Sequence, residues 1–181
     1  MNKKNGFTLI ELLVVIFIIG VLLAFSVPNF AAFQEKARVS ALKMNMHNVS
    51  VVIEEYYSEK GEYAIDFYED GYGSFFPGGD PYSVPQLMGT LPTNPWSGEV
   101  MSEENFNPDW YWLPEDVSNT EEGGPNDDDG YEPGEMRYSM YIPEGSPRIK
   151  LWGLIGFGIM GQSIRQFNAT GDELIIFVLH N

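Results

Sequence analysis

The feature that most constrains this chain is a run over residues 7–27 that is apolar apart from Thr8, Glu11, Gly20 and Ser26. At about 1.5 Å of rise per residue, such a run predicts a helix about 30 Å long, the thickness of a bilayer's hydrocarbon core. Lys3 and Lys4 precede it and Lys36, Arg38 and Lys43 follow it, so the positive-inside rule does not fix its orientation. An ordinary secretory signal peptide would use the same basic start, with a small-x-small cut at Ala24-Phe25-Ser26. Two residues speak against that: Pro28 stands just past the cut, and Glu11 puts a carboxylate into the apolar region. On insertion scales a charge there costs about 2.5 to 3.5 kcal/mol, so a carboxylate kept in this place needs a partner.

The helical pattern continues past the apolar run. Pro28 removes one backbone hydrogen bond and disfavours helical geometry at Val27, which predicts a kink or local unwinding there. Phe30, Phe33, Ala37, Ala41, Met44, Asn48, Val52 and Tyr56 then recur at steps of three and four, a mostly apolar stripe suited to packing on a sheet. Lys60-Gly61 supplies a stop signal. A helix over residues 7–60 would be on the order of 80 Å long, more than the rest of the chain can cover. It divides into a membrane-spanning half, 7–28, and an amphipathic half, 29–60. The first half must be covered by lipid or by other helices, and Gly20 and Ala24 offer a small-x-x-x-small pair for close helix contact.

Residues 61–135 are punctuated by Gly and Pro, including Pro77-Gly78-Gly79, Pro92, Pro95 and Gly123-Gly124-Pro125, and are expected to form a long acidic connecting loop region. Aromatic residues such as Phe75, Phe76 and Trp96 argue that much of it packs. Within it, nine of the 21 residues in 115–135 are acidic and none is basic, so this stretch is expected to be a mobile surface loop. Met136, Tyr138, Met140 and Ile142 alternate with Arg137, Ser139 and Tyr141, as in a strand buried on one face. Residues 149–157 and 173–179 read as further strands, so 136–181 is expected to be an antiparallel sheet. The fold class is therefore α+β, a long N-terminal α-helix packed on a C-terminal antiparallel β-sheet.

Composition narrows the function. The chain carries 26 acidic and 10 basic side chains, a formal charge of -16, which opposes binding to nucleic acid through a general field. No Lys or Arg occurs between Lys60 and Arg137. With no cysteine, a disulfide framework, thiolate catalysis and thiolate-bound zinc are excluded. His47 and His180 have no adjacent ligand cluster and no nucleophile–base arrangement is present, so no catalysis is expected. Gly156-Phe157-Gly158-Ile159-Met160-Gly161 has the spacing of a dinucleotide-binding fingerprint, but only 20 residues follow it, too few for a strand–helix–strand unit. Asn126-Asp127-Asp128-Asp129-Gly130 is acidic enough to attract calcium, yet an EF-hand register would place Pro125 and Met136 at its first and last ligand positions.

The stretch Gly6-Phe7-Thr8-Leu9-Ile10-Glu11, followed by the apolar run, resembles the class III signal sequence of type IV prepilins and type II secretion pseudopilins. The resemblance implies a pilin fold, cleavage between Gly6 and Phe7 by a prepilin peptidase on the cytoplasmic side, and methylation of the new Phe7 amine. Residues 1–6 would be the leader, and losing Lys3 and Lys4 takes the formal charge from -16 to -18. Gly6 offers no side chain to a protease that must approach the backbone closely. Glu11 would pair with the Phe7 ammonium of a neighbouring subunit and set axial register, with residues 7–28 bundled as the filament core; the bland alternative is a carboxylate that snorkels to the interface. The implied partners are further copies in a helical filament, a prepilin peptidase and methyltransferase, an inner-membrane assembly platform, and the inner membrane itself before assembly. The implied location is the inner membrane for the precursor and then an extracellular pilus.

Two rivals remain open. A major pseudopilin of a type II secretion system, in a periplasmic pseudopilus, shares every N-terminal feature, and Leu91-Pro92-Thr93-Asn94-Pro95-Trp96 loosely resembles its proline-tryptophan loop. Major pseudopilins resembling this chain bind calcium near the C-terminus, which leaves room for a looser calcium site at residues 126–130 or around Asp172 and Glu173; no other cofactor is expected. A monomeric membrane-anchored binding module is the second rival, and it has no use for Glu11.

Overall fold

A computed structural model describes residues 7–65, 71–102, 106–111 and 113–181; the leader 1–6, and Gly6 with it, lies outside them. The chain forms two compact units, Met1–Ala37 and Arg38–Asn181. Helix α1 runs Leu9–Lys60. Among the described residues of the first unit, apolar side chains such as Leu9, Ile16, Phe17 and Phe25 are exposed. The helix is unbroken through residue 28, so the local unwinding expected there does not occur. One missing rung leaves the neighbouring rungs intact. The polar side chains beside it bond to the helix itself: Ser26 Oγ donates to the Leu22 carbonyl at 2.8 Å and Asn29 Nδ2 to the Phe25 carbonyl at 3.0 Å. Each thereby meets the demand that hydrocarbon places on a polar group.

The second unit is built on a sheet of order β1-β2-β3-β6, from β1 Phe106–Tyr111, β2 Met136–Tyr141, β3 Leu151–Gly156 and β6 Val178–His180. Its β2–β3 and β3–β6 pairs are antiparallel. A smaller antiparallel pair joins β4 Arg165–Phe167 to β5 Leu174–Ile176. Strand β1 corrects the expectation of connecting loop throughout 61–135, and it runs parallel to β2. Pro108 conceals it in the sequence, and its position at the sheet edge is where a strand tolerates proline.

Leu42, Met46, Val49, Ile53 and Tyr56 form the buried face of α1, with Val52 beside them. Of the expected stripe, Val52 and Tyr56 lie in that face, but Phe33, Met44 and Asn48 do not; Met44 is 62% exposed. Both sets have helical spacing, but the one used carries more apolar volume and spares the Asn48 amide from burial. It meets Met136, Tyr138 and Met140 of β2 and Trp152 and Leu154 of β3 in one core. Gly156 lets helix and sheet close up, since a Cβ there would lie 2.9 Å from Leu42 Cδ2 and Met46 Sδ. Polar contacts flank the seam: Trp152 Nε1 donates to Glu54 Oε1 at 2.8 Å, and Lys43 Nζ sits 4.1 Å from the centre of the Phe177 ring.

Strand β2 is buried on both faces, where alternation predicted one. Arg137 and Ser139, which alternate with the helix-facing residues, are 2% and 0% exposed. Residues 113–128 fold across them: a Cβ on Gly153 would collide with the Val117 carbonyl, and Asn126 is wholly buried. Asn126 Nδ2 donates to the carbonyls of Asp116 at 3.0 Å and Asn119 at 2.8 Å. Part of the stretch expected to be a mobile surface loop thus packs as a second layer on the sheet. The glycine run also has a structural role, as Gly156 closes β3 while Gly158 and Gly161 lie in the turn that bridges Phe157 to Ser163. No helix follows it among the described residues, so these glycines do not stand at the strand-to-helix turn of a dinucleotide-binding fingerprint.

Two measurements check this packing. Leu42→Ala is expected to destabilise the second unit by ~2–5 kcal/mol, and Met44→Ala on the exposed face by less than about 0.5 kcal/mol, in thermal unfolding of the detergent-solubilised chain. The Gly123 N–H and the Arg165 guanidinium hold the Asp127 carboxyl below the usual carboxylate range. Its contribution is therefore present above the unfolded value near pH ~4 and is lost as the pH falls through the lower folded value. Amide protection over residues 119–128, taken relative to the intrinsic exchange rate at each pH, should fall on that descent, and Asp127→Asn should remove this component of the pH dependence.

Candidate functional site

Helix α1 starts at Leu9, which makes Thr8 its N-cap and Glu11 its third residue. The Thr8 N–H donates to Glu11 Oε2 at 2.9 Å and the Thr8 hydroxyl donates to the same oxygen at 2.7 Å. In return the Glu11 N–H donates to Thr8 Oγ1 at 3.3 Å. This reciprocal capping box satisfies backbone donors that a helix start leaves without partners, and it sets a carboxylate at the positive end of the helix dipole. Part of what Glu11 needs in apolar surroundings therefore comes from its own backbone. The two bonds it accepts both use Oε2.

Phe7 stands just before the cap, 76% exposed, so residue 7 and the Glu11 carboxylate share one helix end. Gly6, the other side of the expected cleavage, lies outside the described residues, and Pro28 lies within the helix. Thr8 is the participant that sequence reading passed over as a mere interruption of the apolar run. Its spacing to Glu11, Thr-x-x-Glu ahead of apolar residues, is the capping-box signature and would have identified it.

The segment is also suited to a membrane: α1 contains a stretch long and apolar enough to cross one, none of it buried within the chain. Elsewhere the groups singled out in the sequence make contacts within the second unit. Asn94 pins the Pro92 to Trp96 loop, accepting from the Trp96 N–H at 2.8 Å and donating from Nδ2 to the Pro133 carbonyl at 2.9 Å. His47 meets the Phe177 ring edge-on with centroids 6.3 Å apart, while His180 Nδ1 lies 3.2 Å from the Asn181 carbonyl oxygen. Among the described residues no group of three or more His, Asp or Glu is placed to hold a metal ion.

Residues 1–27 match the prokaryotic N-terminal methylation motif. The chain is 30% identical over 104 residues to the type II secretion system core protein G of Dickeya chrysanthemi, which covers 54% of this chain and 67% of that protein. It is 42% identical over 64 residues to the type IV major pilin protein PilA of Myxococcus xanthus, covering 35% of this chain and 29% of that protein. The fimbrial protein EcpB of Eikenella corrodens is 34% identical over 71 residues, 39% of this chain and 45% of that protein. No solved structure matches. A methylation-type N-terminus, a capped apolar helix and a sheet that buries the far end of that helix define a pilin-like structural subunit. The chain belongs to the superfamily of type IV pilins and type II secretion pseudopilins. It spans less than half the length of PilA and of EcpB, 29% and 45%.

Thr8→Val removes the hydroxyl from the capping box and is expected to weaken the helix start by ~1 kcal/mol. Amide exchange at residues 9–12 in detergent micelles should rise about fivefold, and Thr8→Ser should restore protection.

Proposed function

We propose that this chain is a structural subunit of a type IV pilus-like filament. It enters the inner membrane as a precursor, is cleaved after Gly6 by a prepilin peptidase and methylated on the Phe7 amine, and is then assembled helically by an inner-membrane platform. The observation that carries this reading is the first stretch of α1: apolar and uncovered by its own chain, with a single carboxylate held at its start. Lipid provides the cover before assembly, and the same residues of neighbouring copies provide it afterwards. Glu11, capped through Oε2, pairs in trans with the methylated ammonium of the next subunit's first residue, and so fixes axial register. Pro28 supplies the place where the helix bends during assembly. The filament carries no catalysis, and its location is an extracellular pilus.

A second reading makes the filament a periplasmic secretion pseudopilus. One observation favours it: the match to core protein G extends over 104 residues, twice the 52 of α1, whereas the match to PilA covers 64.

Electron microscopy of filaments sheared from cells, with mass spectrometry of their subunits, tests both. Long surface filaments of a chain beginning at methylated Phe7 are expected. Processed chain confined to the envelope would select the pseudopilus, and a mature chain that retains residues 1–6 would overturn both. Glu11→Val is expected to insert and be cleaved normally yet yield at least about tenfold fewer filaments, equivalent to about 1.4 kcal/mol per assembly contact. Undiminished filaments in that variant would refute the pairing.

A further inference from the structure

Resemblance to calcium-binding relatives raises the question of whether the acidic layer over the sheet holds a metal, and the side chains answer it. Arg137 projects from β2 into that layer and is almost fully buried, so its charge depends on oxygens supplied by the protein. Its Nη1 donates to Asp128 Oδ2 at 2.5 Å. Its Nη2 donates to Tyr111 Oη at 2.7 Å, to the Pro125 carbonyl at 3.0 Å and to Asn126 Oδ1 at 3.0 Å. A carboxylate, an amide oxygen and a backbone carbonyl drawn from one short turn are the donor types that a calcium loop offers. Here they converge on a guanidinium. Asn126 is not free to turn elsewhere, because its Nδ2 is tied to the carbonyls of Asp116 and Asn119.

The next carboxylate is committed as well. Arg165 of β4 grips Asp127 with Nη2 at 2.9 and 3.1 Å from its two oxygens, and its Nη1 reaches Glu122 at 3.2 Å. The Gly123 N–H adds a further bond to Asp127 Oδ2 at 2.8 Å. Around Asp172 and Glu173, the other place where calcium was expected, the turn is held by Asn168 and Thr170, and no group of three or more His, Asp or Glu among the described residues is placed to hold a metal ion. Asn168 Oδ1 accepts from the Gly171 N–H at 2.8 Å and the Asp172 N–H at 3.2 Å, and the Thr170 hydroxyl donates to the Asp172 carboxylate. Calcium takes six to eight oxygens; at residues 125–128 they surround a resident cation that would repel it.

We infer that Arg137 and Arg165 close the acidic layer in place of a divalent metal, so that the fold of this chain is independent of calcium. The donors at 125–128 do not fit a metal while Arg137 lies among them. The two guanidiniums reach the acidic turn from different strands, which makes them a clasp between the layer and both sheets.

The test uses the full chain in detergent. Calorimetric titration with calcium chloride is expected to give no saturable heat, and the thermal midpoint should differ by less than about 1 °C between calcium and EGTA. Saturation of a folded-state site would raise it by about 5 °C or more. Arg165 is partly exposed, so Arg165→Gln is expected to fold while amide exchange across residues 119–128 rises about tenfold, the scale of one lost charge-assisted pair. Saturable calcium binding with a raised midpoint in the unaltered chain would overturn the inference, as would unchanged exchange in Arg165→Gln.

Discussion

Fifteen large apolar side chains between Leu9 and Val27 stand exposed along α1, and keeping them from water is the constraint on which the rest depends. Each such side chain gains ~1.5–3 kcal/mol from full burial. Halved for the shielding that a helix gives its own side chains, the total is still on the order of 10–20 kcal/mol. That equals or exceeds the whole stability of a typical domain. No rearrangement of the sheet-bearing unit offsets a term of this size, so the cover comes from outside the chain. A bilayer and a bundle of like helices are the environments that supply it without leaving backbone groups unsatisfied.

Two charges in this protein face the same difficulty and meet it differently. Arg137 sits in a layer of oxygens supplied by its own chain, with a carboxylate, a phenol, an amide oxygen and a carbonyl all in bonding range. Such a group is structural, because removing any neighbour leaves a buried cation short of partners. Glu11 is met only in part, by the N–H and hydroxyl of Thr8 at the end of an exposed helix. A carboxylate so placed is stable enough to enter a membrane yet retains demand for a cation. The one is met by four groups of the fold around it, the other by a single residue at a helix start.

Periodicity and turn chemistry revealed the long helix, β2 and β3, because each carries an uninterrupted pattern. They failed where two patterns coexist or where the partner lies far along the chain. Over residues 37–56 two stripes have helical spacing, and only the sheet's demand for volume selects Leu42, Met46 and Val49 over Met44 and Asn48. Strand β1 was hidden by Pro108, tolerable only at a sheet edge that local sequence does not reveal. That the acidic stretch packs on the sheet was not legible because its counter-charges come from elsewhere: Arg165 lies 38 residues from Asp127. At the candidate site, Phe7 and Glu11 were legible from the motif. Thr8 was equally legible, but the question of what Glu11 meets in another subunit obscured what it meets in its own.

Acidity this high is compatible with assembly because the attractive and repulsive terms act over different ranges. Two unit charges 10 Å apart in water interact by only ~0.4 kcal/mol, and physiological salt screens them further, with a Debye length of about 8 Å. The paired carboxylates of Asp127 and Asp128 add little outward field, since guanidiniums neutralise them in place. What remains is a diffuse negative surface that discourages nonspecific association. Against it stands the contact of apolar helices, short in range, unaffected by screening and larger by an order of magnitude. Among the described residues of the apolar stretch from Leu9 to Val27, Glu11 carries the one charge, so its apolar contacts work against little local repulsion.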